Sequence, residues 1–276
     1  MSNPAISILL PVFNSAEYLK SCIDSILNQT FTSFELIIVN DGSVDNSENI
    51  IKSYSDSRIV YIKNETNCGL IYSLNMAIRA AKGKYIARMD GDDIAESSRL
   101  ELQKRFLDNN SNIGIVACLI NFIDENNQAR GYWELDQKTL TPVAIKNKMK
   151  RESCIAHPSV MGKAELFKKY GYKKYQKNIE DYDLWLRLLN DNIVISKLDS
   201  TLLSYRIHNK SITKKDQKEK NVFFKISRCK WRFVYYEVVT GKLSIFVLSV
   251  LFWSLLDVIK GIGKEINKAF LNSFLN

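Results

Sequence analysis

The strongest constraint on the fold is a regular alternation of short apolar runs and helix-like segments over the first 108 residues. Four runs of strand length are each followed by a segment with the apolar spacing of an amphipathic helix. The predicted strands lie at 6–11, 34–40, 58–64 and 85–89, and the predicted helices at 16–29, 45–54, 69–83 and 96–108. Repeated strand–helix units predict an α/β fold with a mostly parallel sheet, right-handed crossovers and flanking helices.

The second half of the chain is less regular. Residues 113–123 read as a further buried strand, and residues 124–152 are polar and predicted to be rich in loops. Residues 153–171 predict a strand that runs into a helix, residues 179–190 predict a helix, and residues 202–208 predict an edge strand.

The charge of the chain is unevenly distributed. The net charge is +9, yet residues 1–200 carry 25 basic and 25 acidic side chains, whereas residues 201–276 carry 14 basic and 5 acidic ones. The excess therefore indicates what the tail contacts rather than what the main domain does. The five cysteines form no CxxC pair or Cys/His cluster, which argues against a disulfide framework or a zinc site and fits a reducing cytoplasm.

The tail combines basic, aromatic and aliphatic residues. After a charged linker at 214–220, two apolar helices are expected, and the stretch 221–239 interleaves lysines and arginines with aromatic residues. The apolar core at 243–256 has 14 residues, which is short of the ~17–25 needed to span a bilayer. A helix lying in the membrane interface is favoured. There are two alternatives: this helix packs on the main domain or a partner, or it forms a tilted or re-entrant membrane span. Nucleic acid is disfavoured, because the aromatic residues merge into a continuous apolar run.

Polar residues follow each strand of the first half. Asn14, the turn 41–43, the loop 64–69 and the acidic cluster 90–93 all lie at carboxyl ends of predicted parallel strands. Such ends meet at one edge of an open α/β sheet, where ligands bind. The cluster Asp-Gly-Asp-Asp suits Mg²⁺ or Mn²⁺, which one or two carboxylates hold together with substrate phosphates, although a solvated turn would also account for it. The sequence contains no GxGxxG after the first strand and no Walker loop.

Several motifs taken together resemble the family 2 glycosyltransferases of the GT-A fold, in particular bacterial enzymes of lipooligosaccharide, O-antigen and capsule synthesis. The resemblance covers residues 5–212 and rests on PVFN (11–14), NDGSVD (40–45), NCGLIYSLN (67–75), MDGDD (89–93), IEDYDLW (179–185) and YRIHNKS (205–211). It implies a GT-A domain at 1–212, followed by a basic and apolar C-terminal helical region at 213–276.

The resemblance implies specific roles for individual residues. Asp181 matches the catalytic base. The positions implied to bind the donor nucleotide are Pro11, Phe13, Asn14, Glu17, Asp41, Asn67, Gly69, Asn75, Asp90 and Gly91. Those implied at the diphosphate or acceptor are Asp93, His157, Glu180 and Arg206, and the implied metal ligands are Asp92, Asp90 and His208.

Some of these positions have plainer interpretations. Asn14 can simply cap the first helix, Asp41 can be a turn residue before Gly42, and His157 can be a structural histidine. Glu180 and Asp181 can be first-turn carboxylates favoured by the helix dipole. The chain also departs from the family pattern, with Asn40 in place of an aspartate and Leu74 in place of a basic residue.

The implied activity is an inverting, metal-dependent transfer of a hexose or N-acetylhexosamine from a UDP-sugar to a hydroxyl of a glycan acceptor, giving a β-linkage. The implied acceptor is linked to a polyprenyl diphosphate or to lipid A. The enzyme would act as a peripheral or monotopic protein at the cytoplasmic face of the inner membrane. The rival hypothesis is a nucleotide-sugar-binding protein on the same fold that is non-catalytic or reacts differently, such as a nucleotidyltransferase.

Overall fold

The computed structural model describes residues 3–208 and 221–274, with side chains described up to residue 267. The strands are β1 (Ile6–Val12), β2 (Phe34–Asn40), β3 (Ile59–Lys63), β4 (Tyr85–Arg88), β5 (Ile94–Ala95), β6 (Ile113–Ile123), β7 (Ala129–Tyr132), β8 (Met161–Lys163) and β9 (Val194–Arg206). The helices are α1 (Ala16–Leu27), α2 (Ser47–Lys52), α3 (Leu70–Ala80), α4 (Arg99–Asn109), α5 (Glu134–Lys138), α6 (Pro142–Met149), α7 (Ala164–Tyr170), α8 (Glu180–Asn190), α9 (Val222–Val239) and α10 (Ile245–Phe274). All four strand–helix units predicted in the first half are present.

The nine strands form one mixed sheet in the order β3-β2-β1-β4-β8-β6-β9-β5, with β7 paired to β6. Strands β1 to β4 are mutually parallel. Strand β8 is antiparallel to both β4 and β6, so β6 and its parallel partner β9 run in the same direction as β1 to β4. The carboxyl ends of β1, β2, β3, β4 and β9 therefore meet at one edge of the sheet.

Two apolar layers cover the faces of this sheet because successive strand residues point to opposite sides. In β1, Ile8 and Leu10 contribute to the layer formed with α1 and α4, whereas Leu9 contributes to the layer formed with α3, α7 and α8. Strands β1 and β2 are buried over their whole length. This rigid double-sided core fixes the positions from which the loops at the carboxyl edge leave.

The second half departs from the sequence-based expectations in two places. The stretch 124–152, expected to be loop-rich, contains β7, α5 and α6. The strand predicted at 202–208 begins at Val194 and ends at Arg206, and it is not an edge strand, because β5 pairs with Leu203 and Ser204 on its outer side. The predicted linker at 214–220 and the predicted domain boundary at 212/213 lie outside the described residues, so that boundary stays a prediction.

The C-terminal helices pack on the main domain. Phe233 of α9 and Val247 and Val250 of α10 belong to the same apolar layer as α8. Lys230 of α9 donates a hydrogen bond to Asp257 of α10 at 2.6 Å, and its ammonium group is fully buried. Helix α10 extends well beyond the apolar run at 243–256.

The length of α10 changes one of the sequence-based expectations. By length and composition, the segment Ile245–Asn267 suffices to cross a membrane. The length argument against a span therefore applies to the apolar run at 243–256 and not to the whole of α10.

Candidate active site

Three carboxylates lie together just beyond the end of β4. One oxygen from each of Asp90, Asp92 and Asp93 lies within 4.8 Å of the others. The loop is held in place by the Cys22 thiol, which donates to the Asp90 carbonyl at 3.1 Å, and Gly91 packs close to Ser15 of the β1–α1 loop. Carboxylate oxygens at this spacing are able to bind one hard divalent cation, such as Mg²⁺ or Mn²⁺, together.

The acidic cluster carries more negative charge than the neighbouring basic side chains neutralise. Burial raises the pKa of Asp93 well above its usual range, and the charges of Asp92 and Asp90 raise it further. Burial also raises the pKa of Asp90, although the ion pair of Asp90 with Arg88 opposes this shift. Oδ2 of Asp93 is buried without a hydrogen-bond donor among residues 3–208 and 221–267. A bound divalent cation would relieve this repulsion.

His208 lies against the cluster from the far end of the sheet. Its Nε2 atom is 2.9 Å from Oδ2 of Asp92, and its ring packs on Tyr18 with centroids 5.2 Å apart. Two neighbouring ligand atoms of an octahedral cation with bonds of ~2.1 Å are separated by about 3 Å. The pair therefore has the spacing of two ligands on one Mn²⁺ or Mg²⁺ ion, so Asp92 and His208 fit the metal role implied by the resemblance, while the metal role of Asp90 stays a prediction.

Arg206 ties the end of β9 to the same loop. Its backbone N–H donates to Oδ1 of Asp93 at 2.9 Å, and its guanidinium donates to the carbonyls of Asp92 at 2.8 Å and Asp124 at 2.6 Å. The guanidinium also stacks over the ring of Tyr18 and is 1% exposed. In this arrangement Arg206 holds the acidic loop in place, and its implied contact with the diphosphate stays a prediction.

Asp41 directly follows β2, and hydrogen-bond donors surround its carboxylate. Its Oδ1 accepts hydrogen bonds from Asn64 Nδ2 at 2.7 Å and from the Cys68 N–H at 3.0 Å, and its Oδ2 accepts from the Gly69 N–H at 2.8 Å. Gly42 makes the close approach of the two loops feasible, because a Cβ there would lie 2.6 Å from the Thr66 carbonyl carbon. The carboxylate is therefore fixed in orientation and partly satisfied by the protein.

The other positions implied to bind the nucleotide differ in their contacts and exposure. Asn14 has a positive φ of 50° and accepts from the Val44 N–H at 2.9 Å, which joins the β1 and β2 loops. The side chains exposed beside these loops are Phe13, Glu17 and Asn67, whereas Pro11 is buried in β1. The amide of Asn75, in α3, makes two hydrogen bonds with the backbone of Tyr172. The nucleotide role of Asn75 stays a prediction.

Glu180 and Asp181 open helix α8. Burial, reinforced by the Asp181 charge, raises the pKa of Glu180 to about 7, and burial raises the pKa of Asp181. The cap residue Ile179 offers no side-chain hydrogen bond, so these carboxylates also complement the helix dipole, and the two interpretations hold together. A carboxylate whose pKa is raised toward neutrality is suited to take up a proton.

His157 lies near the acidic pair without contacting the cation cluster. Its Nε2 is 2.7 Å from the Tyr172 hydroxyl, and its ring stands edge-on to Trp185. Burial, together with the Arg88 charge, lowers the pKa of His157 well below its usual range, so the imidazole is neutral. These contacts agree with the structural interpretation of His157.

The sequence-based reasoning missed three residues that shape the site, namely Arg88, Tyr18 and Tyr172. Arg88 was detectable as a charged residue within the apolar strand YIARM, two positions before Asp90. Tyr18 and Tyr172 gave no sequence signal, since aromatic residues on an amphipathic segment are usually part of the core.

Comparisons with known proteins identify the family of the chain. Residues 7–171 match the family model described as Glycosyl transferase family 2. An uncharacterised glycosyltransferase of Methanocaldococcus jannaschii is 38% identical over 214 residues, covering 76% of this chain and 73% of the relative. The O-antigen biosynthesis glycosyltransferase WbnJ of Escherichia coli is 38% identical over 215 residues, covering 76% of this chain and 82% of the relative.

Solved structures share the fold. TarS residues 1–349 of S. aureus, in complex with UDP, superposes with a TM-score of 0.68 at 19% identity, covering 89% of this chain and 69% of that one. The mannosyltransferase PcManGT of Pyrobaculum calidifontis, in complex with GDP-Man and Mn²⁺, gives 0.65 at 14% identity and covers 100% of this chain and 80% of that one.

The mixed sheet with its flanking helices is thus the GT-A fold of glycosyltransferases. By its sequence, this chain belongs to glycosyl transferase family 2.

Proposed function

We propose that this protein is a metal-dependent, inverting glycosyltransferase that moves a hexose or N-acetylhexosamine from a UDP-sugar to a hydroxyl of a lipid-linked or lipooligosaccharide glycan. The proposed setting is the synthesis of a surface polysaccharide such as O-antigen or capsule. The observation that carries the proposal is the meeting of Asp90, Asp92, Asp93 and His208 at the sheet edge where β2 presents Asp41.

The donor nucleotide fits the β1 and β2 loops. Oδ2 of Asp41 accepts one hydrogen bond from the described part of the chain, which leaves it a lone pair for the N3–H of a uracil ring. Phe13 directly follows β1, Asn67 directly precedes Cys68, whose N–H binds Asp41, and both side chains are exposed. The proposal of UDP is supported by TarS, a protein of the same fold solved with UDP and with UDP-GlcNAc.

The diphosphate would lie at the acidic cluster, where Asp90, Asp92 and His208 would hold the cation. When bound, a divalent cation neutralises the negative charge that develops on the departing diphosphate. Arg206 contributes by fixing the loop that carries Asp92 and Asp93, so the cluster is preorganised before the donor arrives.

Asp181 is the proposed general base. Its carboxylate takes the proton from the acceptor hydroxyl as the hydroxyl oxygen attacks the anomeric carbon and the bond to the diphosphate oxygen breaks. Attack on the face opposite to the leaving group inverts the configuration, so an α-linked UDP-sugar gives a β-linked product. The acceptor is proposed to be linked to a polyprenyl diphosphate or to lipid A.

Membrane contact is proposed through one face of α10. The exposed aliphatic and aromatic residues on this helix recur at alternating spacings of three and four, and they are Ile245, Leu248, Phe252, Leu255, Ile259, Ile262 and Ile266. The opposite face is covered by α9 through Ser254 and Asp257. Since one face is docked and only 33% of the apolar window is buried, an in-plane helix at the cytoplasmic face of the inner membrane fits better than a lone span.

Two assays test the proposal. Purified protein is incubated with a panel of UDP- and GDP-sugars, and released nucleotide is followed with Mn²⁺ and with EDTA. Release from a UDP-sugar that stops on chelation is expected, and activity that survives chelation would contradict the metal assignment. A UDP-sugar that binds without turnover would favour the non-catalytic alternative.

The membrane contact is tested by flotation with vesicles that contain an anionic lipid. The double variant Phe252→Glu/Ile259→Glu should lose binding, while the matched change Glu134→Lys on the distant α5 should not. Unchanged flotation of the double variant would contradict the membrane proposal. A wild-type dimer that forms without lipid and dissociates in the double variant would assign this face to a second copy of the chain instead.

A further inference from the structure

Arg88 is a buried cation at the end of β4 that the proposed mechanism does not use. Its side chain is 3% exposed, and Nη1 forms an ion pair with the carboxylate of Asp90. Its Nε–H has no hydrogen-bond acceptor among residues 3–208 and 221–267. A buried donor left unpaired destabilises the folded state, so a folded protein retains one where a ligand or water completes it.

A buried acceptor is unsatisfied in the same region. Glu180 is 4% exposed, and its Oε2 has no hydrogen-bond donor in the described part of the chain. Trp185, one turn further along α8, buries its Nε1–H without an acceptor in the same described residues. The helix α8 and the end of β4 therefore present both unpaired donors and an unpaired acceptor.

Arg88 is linked to both acidic groups of the active site, the cluster after β4 and the pair that opens α8. It forms an ion pair with Asp90 of the first group. Its backbone N–H donates to the Val160 carbonyl at 3.0 Å, and His157 of the same segment stands edge-on to Trp185 of α8, with ring centroids 6.2 Å apart.

In agreement with this placement, the charge of Arg88 opposes the rise that burial causes in the pKa of Glu180 and of Asp181. In the proposed reaction the diphosphate occupies the first group and the acceptor hydroxyl approaches the second. The sugar ring being transferred has to lie between them.

We infer that Arg88 and Glu180 form a hydroxyl-binding subsite for the transferred sugar, in which Nε–H of Arg88 donates to a ring hydroxyl and Oε2 of Glu180 accepts from one. This inference rests on the proposed function. A sugar hydroxyl both donates and accepts, so vicinal hydroxyls satisfy both atoms, whereas a deoxygenated carbon leaves them buried and unpaired. The donor sugar is therefore one that retains free hydroxyls on the face turned toward β4.

The rival role for Arg88 is purely structural, since its ion pair with Asp90 also orients a nucleotide-binding residue. The variant Arg88→Lys separates the two roles, because a lysine keeps the positive charge beside Asp90 but lacks the Nε–H of the planar guanidinium. The probes are UDP with Mn²⁺, which lacks the sugar, and whichever of UDP-glucose, UDP-galactose, UDP-N-acetylglucosamine or UDP-N-acetylgalactosamine the wild type turns over.

For Arg88→Lys we expect UDP affinity within about threefold of wild type and kcat/KM lower by about 100-fold. Equal losses in UDP affinity and kcat/KM would overturn the inference and leave Arg88 as a positioning residue for Asp90. An unchanged kcat/KM would overturn it as well.

A series of deoxy analogues of the active donor identifies the hydroxyl. For one analogue, kcat/KM relative to the parent donor should be about 100-fold lower with the wild type and less than threefold lower with Arg88→Lys. The variant has already lost the contact that the analogue cannot make. The kcat/KM of Glu180→Gln should likewise be the same for this analogue as for the parent donor. Glu180→Gln therefore gives a second readout if Arg88→Lys does not fold. A wild type that uses every deoxy analogue as well as the parent sugar overturns the inference. A wild type that fails to bind UDP with Mn²⁺, by contrast, defeats the proposed function itself.

Discussion

Nε2 of His208 lies 2.9 Å from Oδ2 of Asp92, although 116 positions separate the two residues in the chain. The contact joins the acidic loop after β4, in the middle of the sheet, to the segment that follows β9. Because Arg206 binds the same acidic loop through Asp93 and the Asp92 carbonyl, the loop is held from one side by three separate contacts.

The first prediction concerns the cation. Replacing His208 by alanine removes one partner of Asp92, and the Mn²⁺ concentration for half-maximal turnover should rise about 10- to 100-fold. Calorimetry of Mn²⁺ binding in the presence of UDP measures the same change. The matched control is His157→Asn, since that imidazole contacts Tyr172 instead of a carboxylate, and its Mn²⁺ requirement should stay within threefold of wild type. A normal Mn²⁺ requirement in His208→Ala would remove His208 from the cation site.

The second prediction concerns pH and stability at Glu180. Its pKa is raised to about 7, chiefly by burial, so the folded state is penalised for the charged form. The penalty is fully present above the folded pKa and absent below the ordinary value of ~4.3. Glu180→Gln should therefore raise the free energy of unfolding at pH 8 by on the order of 1–3 kcal/mol and leave it unchanged near pH 4.

Urea unfolding at pH 4, 6 and 8 checks this dependence on pH. The control is Glu134→Gln, whose exposed carboxylate has its pKa lowered by Lys138, so that substitution should not stabilise the protein at pH 8. A Glu180→Gln variant that is less stable than wild type at pH 8 would contradict the assignment of an uncompensated buried charge.

The third prediction concerns the loop that carries Asp41. Gly42 has a φ of +69°, and an added Cβ would lie 2.6 Å from the carbonyl carbon of Thr66. Gly42→Ala should lower the free energy of unfolding by about 2–4 kcal/mol and weaken UDP binding. In contrast, Gly263→Ala in α10 adds a Cβ that meets no atom within 4 Å in the described structure, and it should raise stability by about 0.5–1 kcal/mol. Equal effects of the two substitutions on thermal unfolding would refute this account of Gly42.

The fourth prediction concerns how α10 is attached. The Lys230 ammonium is fully buried and donates to Asp257 at 2.6 Å and to the Arg151 carbonyl at 2.7 Å. Asp257→Ala leaves this charge without its counter-ion and should cost about 3–5 kcal/mol. The double variant Lys230→Met/Asp257→Leu should recover most of that loss in chemical unfolding. If the double variant were as unstable as the single one, the ion pair would not be what Asp257→Ala disrupts.

The alternation of strands and helices up to residue 108 was predictable because each element has a strong period and lies close to its neighbour in the chain. The long β9 was not predictable, since its charged residue Lys197 interrupts the apolar pattern of a strand. In the structure Lys197 is buried, and its ammonium pairs with Asp136 at 2.6 Å, a residue 61 positions earlier. Partners at that separation leave no trace in a single sequence.

The same limit applies to the site. Asp41, Asp92 and Asp181 could be singled out because motifs at strand and helix ends carry them. The contacts of Arg206 with Asp92 and Asp93 could not, because they join segments more than 100 positions apart and depend on which strands become neighbours. The two-residue strand β5, which directly follows Asp93, brings the acidic loop to Arg206 by pairing with Leu203 and Ser204 of β9.

The central claim, that Asp181 acts as a base at a nucleotide-sugar site, is tested most directly by Asp181→Asn assayed with a UDP-sugar that the wild type turns over. The variant should bind UDP with Mn²⁺ within about threefold of wild type, while its turnover falls by about 10²- to 10⁴-fold, since the acceptor proton has lost its base. Turnover within threefold of wild type would contradict the claim.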